Sequence, residues 1–249
     1  MAGVSFQKME QAGLGAVFTK ALEAKTKLNL SKEEAEWYFG CDFSGSMELA
    51  SFKQHFYSRG NVQDAAEWLL AGACTFDRDG KIDSSFFSNG LHTHPQLRSK
   101  TMTITIENYR GYINQMFHDL GGLDAMGGTD YSAPLEHFEN LHFSKYPNNN
   151  VPAVFVILTD GNTGNAGHVR NVHLRLAGRP VHVIYLAIGR DKKQFLDQMD
   201  NNLVEWGAPV DNVSVIRAHE IGKRTQYREL FKEYPSWLAN VRKLGILVG

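Results

Sequence analysis

Apolar and polar positions change period repeatedly along this chain, and each change marks an element. Leu14, Val17, Phe18 and Leu22 recur at spacings of three and four and predict a helix within residues 9–28. Ser31-Lys32-Glu33-Glu34 matches a capping box, yet the apolar run Trp37-Tyr38-Phe39 follows at once. Residues 31–35 therefore have room for one helical turn before a first buried strand. Helical spacing returns over residues 47–58, and Gly60-Asn61 breaks and restarts it. Asn61 reads as the N-cap, with Val62, Ala66, Leu69, Leu70 and Ala73 on one apolar face. Asp79-Gly80 is a hairpin turn signal, leading to a strand over residues 82–87 at the sheet edge. Met102, Ile104 and Ile106 alternate as in an extended segment, whereas Tyr109, Ile113, Met116, Phe117 and Leu120 mark an amphipathic helix.

The second half repeats this alternation more plainly. Tyr131, Leu135 and Phe138 predict an inward helix face, with Pro134 tolerable in the first turn and Asp130 as its N-cap. After the loop signal Tyr146-Pro147-Asn148-Asn149-Asn150, residues 151–159 carry no polar side chain before their end, as a parallel strand covered on both faces requires. A helix over 165–178, a buried strand over 181–188, a helix over 192–199 capped by Asp191, and a last strand over 213–216 follow. Closing helices over 227–244 are interrupted around Pro235. Strand and helix in regular alternation predict an α/β fold: a doubly wound, mostly parallel sheet with helices on both faces and a short edge hairpin. Residues 1–34 read as a helical extension packed on the sheet, and residues 35–249 as the domain proper, with no repeat, low-complexity run or linker between them.

Composition narrows the class of partner. The 249 residues are 43% hydrophobic with a formal charge of −1 and a pI near 6.8, which argues against nucleic acid or an anionic membrane as the main partner. The amino terminus lacks the apolar core of a signal peptide, and no apolar stretch is long enough to span a bilayer. A cytoplasmic protein is the expectation. Cys41 in a strand and Cys74 in a helical pattern read as buried thiols, with no disulfide framework.

Chemistry concentrates where two predicted strands run out. Cys41-Asp42-Phe43-Ser44-Gly45-Ser46-Met47 presents an acid and two hydroxyls, and Leu158-Thr159-Asp160-Gly161 ends a second strand in an acid. Gly127-Gly128-Thr129-Asp130 adds a hydroxyl from a glycine-rich turn, residues 120–129, of the kind that lets backbone approach a bound ion closely. Ligands of open α/β sheets bind at such strand ends, and oxygen-only donors suit a hard cation such as Mg²⁺. Taken alone, the first stretch reads equally well as a turn in which Asp42 and Ser44 cap backbone amides. Two other stretches invite metal readings that fail. Residues 77–83 alternate acids ahead of Gly80, but the first and twelfth positions of a calcium loop would be Thr75 and Phe86. His92 and His94 share one face of an extended segment without a third zinc ligand at suitable spacing, and read as exposed loop histidines.

Together, Asp42, Ser44, Ser46, Thr129 and Asp160 resemble the metal-ion-dependent adhesion site of the von Willebrand factor type A domain, with no departure in the set. The resemblance covers roughly residues 35–249. Within that domain family the chain is similar to the bacterial TerF-like group found with tellurium-resistance, or stress-response, genes. Phe43-Ser44-Gly45-Ser46-Met47, the turn at residues 77–80, and Glu233-Tyr234-Pro235-Ser236-Trp237-Leu238 leading to Gly245-Ile246-Leu247 carry this closer likeness. The resemblance implies that Ser44 and Ser46 bind a divalent cation (Mg²⁺, with Mn²⁺ or Ca²⁺ as alternatives), and Thr129 directly or through water. Asp42 and Asp160 would supply charge. A carboxylate from a partner protein would fill the remaining position, so that the chemistry is adhesion and not catalysis.

Two other readings compete. An aspartate-nucleophile, Mg²⁺-dependent phosphohydrolase needs a second acid two residues after the first, where Ser44 stands. Neither a Gly-x-Ser-x-Gly elbow nor a Gly-x-x-x-x-Gly-Lys loop is present. A scaffold that keeps the fold and leaves its metal site idle would have no reason to retain all five oxygen side chains.

Overall fold

The structure is a computed structural model that describes residues 5–49, 51, 55–77, 79–161, 163–189, 194–218 and 227–248. Helices α1 (Phe6–Gln11) and α2 (Gly15–Lys27) lead into strand β1 (Glu36–Asp42), followed by α3 (Asn61–Ala73), β2 (Lys81–Phe87), β3 (Met102–Thr105) and α4 (Tyr112–Asp119). Then come α5 (Ser132–Lys145), β4 (Ala153–Thr159), α6 (Ala166–Leu176), β5 (Val181–Ile188), α7 (Gln194–Asn202), β6 (Val213–Ala218), α8 (Tyr227–Leu230) and α9 (Tyr234–Lys243).

The six strands lie in the order β3-β2-β1-β4-β5-β6, all parallel except β3, which runs antiparallel to β2. This is the doubly wound, mostly parallel α/β sheet with helices on both faces that the alternation of elements predicts. Strand order reverses between β1 and β4, and in open sheets the crevice beyond the carboxyl ends at that reversal is where ligands bind. Side chains alternate across the sheet with the period of two that strands impose. Trp37, Phe39, Cys41, Val154, Val156, Leu158, Ile184 and Leu186 enter one core, with residues of α3, α4, α8 and α9. Tyr38, Phe155, Ile157, Val183 and Tyr185 enter the other, with residues of α5, α6 and α7. Every residue of β4 and β5 is buried, which is why both strands are apolar almost throughout, with His182 the polar exception within β5 and Thr159 the polar end of β4.

Several expectations need correction. The Asp79-Gly80 turn joins α3 to β2 and makes no strand hairpin, and β2 is covered at the sheet edge by β3. The antiparallel edge pair is β2 with β3, separated by residues 88–101. Over residues 47–58 the described part is not α-helical: a 3₁₀ turn at Gly45–Met47 is followed by turns, because the Glu48 carboxylate accepts the amides of Tyr57 (2.9 Å) and Ser58 (3.2 Å) and folds the segment back. Asn61 is the first residue of α3, and Gly60 in a left-handed conformation (φ +78°) takes the cap position. Helix α2 packs on α3 and α8, leaving Leu22 exposed. The expected Asp191 cap lies outside the described residues.

Candidate metal centre

Register places the site. Cys41 pairs with Leu158, so the next residues of β1 and β4, Asp42 and Thr159, emerge side by side. Both are fully buried. Asp42 Oδ1 accepts the Ser44 amide at 2.9 Å, and Oδ2 accepts the Thr159 hydroxyl at 2.6 Å. Tyr57 donates its hydroxyl to the Asp42 carbonyl at 2.8 Å. The chain leaves the strand on an apolar anchor: Phe43 is wholly buried among the rings of Tyr57, Phe86, His92 and Phe117. Beyond it, Ser44 Oγ lies 3.1 Å from Ser46 Oγ, and Ser46 donates to Asp160 Oδ1 at 2.8 Å. Four of the five candidate residues therefore sit in one hydrogen-bonded cluster, spanning two loops.

The third loop is tied in through backbone. Ser44 and Gly127 form a parallel bridge, the Gly45 amide donates to the Gly127 carbonyl (2.9 Å), and the Gly164 amide donates to the Thr129 carbonyl (2.8 Å). Half-buried Thr129 is thus strung between the loops after β1 and β4. Asp130 accepts the Ser132 amide (2.9 Å) and hydroxyl (2.6 Å), but it is not the expected N-cap of α5, because Tyr131 takes that position. The glycines of this loop are needed for a contact other than an ion. A Cβ on Gly128 would lie 2.3 Å from Asn89 Oδ1, and one on Gly127 would lie 3.1 Å from Ser88 Oγ.

Thr159 and Tyr57 are site residues that motif reading leaves out. A hydroxyl next to Asp160 is visible in the sequence, but its bond to Asp42, 117 positions away, depends on strand register. The expectation that His92 and His94 are exposed loop histidines needs correction. His94 is buried, its Nε2 3.2 Å from Asp119 Oδ2, so it is not an exposed loop histidine. His92 is half-buried, with Nε2 2.9 Å from Ser88 Oγ. Asp77 and Asp79 accept the amides of Asp79 and Lys81 and so stabilise their own turn. Cys41 and Cys74 are free, buried thiols.

Burial pushes the Asp42 carboxyl up to about 7, and the nearby Asp160 charge adds to the rise, while hydrogen bonds from Ser44 and Thr159 oppose it. Two neighbouring carboxylates out of water cost free energy that a divalent cation between them would offset. The donors at hand are all oxygen, with two acids and three hydroxyls. Among the described residues no cluster of three or more His, Cys, Asp or Glu side chains is placed to hold a metal; the candidate set is instead rich in hydroxyls. Such a set fits a hard cation and would leave it with residual positive charge.

A family model described as vWA-TerF-like, the vWA found in the TerF C terminus, matches residues 35–247. An uncharacterized protein of Bacillus subtilis (strain 168), YcbR, is 25% identical over 224 residues, covering 89% of this chain and 84% of YcbR. Solved structures of similar fold include a von Willebrand factor type A protein from Catenulispora acidiphila, at 15% identity and a TM-score of 0.48, covering 82% of this chain and 42% of that one. Another is proximal thread matrix protein 1 from the mussel byssus with a zinc-occupied MIDAS motif, at 19% identity and a TM-score of 0.49, covering 86% and 48%. The chain spans less than half the length of both solved structures. The family match takes in every strand of the sheet and all three loops of the candidate site, and the chain belongs to the vWA-TerF-like family of von Willebrand factor type A domains.

Proposed function

We propose that this chain is a metal-dependent protein-interaction module. Asp42, Ser44, Ser46, Thr129 and Asp160 hold a divalent cation, Mg²⁺ in the first instance and Mn²⁺ or Ca²⁺ as alternatives, and the ion takes a carboxylate from a partner protein. Von Willebrand factor type A domains commonly mediate metal-dependent interactions. The observation that carries the reading for this chain is the pair of bonds across the sheet reversal, Thr159 to Asp42 and Ser46 to Asp160, which converge the oxygen side chains of two strand ends. When bound, the ion supplies an electrophile for a carboxylate, and the attraction strengthens where water is excluded. Ser44, at the position where an aspartate-nucleophile phosphatase carries its general acid, gives the site no proton donor of that kind, so the role is adhesion. The setting we propose is bacterial tellurite or stress resistance in the cytoplasm. The TerF kinship supports it, and among the described residues no helix is long and apolar enough to cross a membrane.

Thermal unfolding in EDTA and in millimolar Mg²⁺, Mn²⁺ or Ca²⁺ tests the site, for wild type and Asp42→Asn. The amide keeps an acceptor for Ser44 but removes the charge. An ion at a hundredfold its dissociation constant stabilises the wild type by about 2.7 kcal/mol, and Asp42→Asn loses most of that shift. A wild type whose Tm no ion moves would remove the reading.

A further inference from the structure

The connection between β2 and β3 braces the loop that carries Thr129, although nothing in the Asp-x-Ser-x-Ser pattern points to it. The Ser88 carbonyl accepts the Asp130 amide at 2.8 Å, and Ser88 Oγ is joined to His92, whose ring meets Phe43 edge-on at 5.1 Å. Next to Ser88, the exposed side chain of Asn89 lies against the two glycines that precede Thr129. A Cβ on Gly128 would fall 2.3 Å from its Oδ1, and one on Gly127 would fall 3.3 Å from its Nδ2. Neither glycine has a positive φ, so this contact requires their lack of a side chain and not their left-handed freedom. Two successive glycines bring the largest loss of backbone freedom on ordering. Backbone bonds from Gly45 and Gly164 hold the Gly127 and Thr129 carbonyls, and at Gly128, between them, the nearest atoms a side chain would meet all belong to Asn89.

We propose that Asn89 is a positioning residue for the cation site: by packing on Gly127-Gly128 it sets the backbone that carries Thr129. This rests on reading the five oxygen side chains as a cation site. Outer groups that orient metal ligands typically change affinity by about 10–100-fold when removed.

Mn²⁺ titration of the full chain, with the free ion followed by electron paramagnetic resonance, tests this in wild type, Asn89→Ala, Gly128→Ala and the double variant. Asn89→Ala weakens Mn²⁺ binding about tenfold and leaves the Tm in EDTA unchanged, because its side chain is exposed. Gly128→Ala weakens binding in the wild-type background, by driving its methyl group into Asn89, and costs nothing further in the Asn89→Ala background. Wild-type affinity in Asn89→Ala, or an equal cost of Gly128→Ala in both backgrounds, would overturn the positioning role while the cation site stands. A lowered Tm in EDTA with unchanged affinity would likewise reduce Asn89 to a structural contact. Absence of Mn²⁺ binding by the wild type would overturn the cation site itself and the role of Asn89 with it.

Discussion

The Thr159 hydroxyl serves several partners at once. It donates to Asp42 Oδ2, accepts the Gly161 amide at 3.2 Å, and lies 3.1 Å from the Tyr131 hydroxyl, which itself donates to the Gly161 carbonyl. Thr159→Val keeps the volume and removes the oxygen, leaving the buried Asp42 carboxyl without its second donor. Losing one partner of a buried pair costs about 1–3 kcal/mol, so urea unfolding of this variant in EDTA should show a loss of that size. Unchanged stability would mean that the bonds from Ser44 suffice to hold Asp42. The same residue shows what the sequence conceals at this scale. Asp42, Ser44, Ser46, Thr129 and Asp160 stand out because acids and hydroxyls at strand ends and glycine turns have a recognisable chemistry. Thr159 and Tyr57 do not, because each meets Asp42 through a register and a loop path that no local pattern encodes. The ordinary-turn reading of Asp42 is also physically true: its carboxylate does accept the Ser44 amide, and the metal proposal adds to that bond without replacing it.

Elements of this fold are joined by buried histidines. His142 of α5 lies 3.2 Å from the Tyr38 hydroxyl of β1, His173 of α6 is 2.8 Å from the Tyr185 hydroxyl of β5, and His182 of β5 is 3.0 Å from the Ser214 hydroxyl of β6. Burial lowers the first to about 4 and the other two to about 3. All three are neutral in both states above the unfolded value near 6.5, where their contribution is complete. As pH falls below 6.5 the unfolded chain takes protons that the folded chain refuses, and each histidine withdraws about 1.4 kcal/mol per pH unit until the pH passes its folded value. The raised carboxyls of Asp42 and Asp200 act in the opposite sense, since they bind protons more readily when folded. The test is therefore a difference. The stability gap between wild type and His173→Phe, measured by urea unfolding at pH 7, 6 and 5, should shrink as pH falls, whatever its size at pH 7. A constant gap would show that His173 titrates normally in the folded state. Strands β4 and β5 are legible because parallel strands covered on both faces need predominantly apolar runs, which β5 keeps despite His182. The segment after Met47 is not, because Glu48 satisfies two amides of its own loop and defeats the helix that residue spacing suggested. His94 was misplaced for a similar reason: its partner Asp119 comes from α4, 25 residues on.

At the scale of the whole molecule, the amino-terminal segment decides where the folding unit begins. The family match starts at residue 35, yet Met9, Leu14, Phe18, Ala21 and Ala24 are buried in the same core as α3 and α9. Polar ties reinforce this: Tyr109 and Arg110 donate to the Ala12 carbonyl at 2.5 and 2.8 Å, and Arg242 of α9 forks onto Glu33. Lys25 is the deepest of these ties. It is 3% exposed, donates to the carbonyls of Glu33 (2.7 Å) and Thr75 (2.6 Å), and sits 4.2 Å over the Phe76 ring. Burial brings its ammonium down to about 8, so at neutral pH it remains charged and joins α2 to the turn after α3. Lys25→Met keeps the apolar stem and strips two part-buried carbonyls of their donor, a loss of about 1–3 kcal/mol in all. If residues 1–34 belong to the cooperative unit, that loss lowers one shared unfolding transition, seen alike by far-ultraviolet circular dichroism and by tryptophan fluorescence, whose reporters include Trp37 and Trp237 in the core. If the segment is an appended lobe, Lys25→Met splits the transition, and the tryptophan signal keeps its wild-type midpoint. The first outcome also forbids a shortcut: a chain begun at residue 35 would expose the apolar faces of α3 and α8 that α2 covers, so ion binding is to be measured on the full chain.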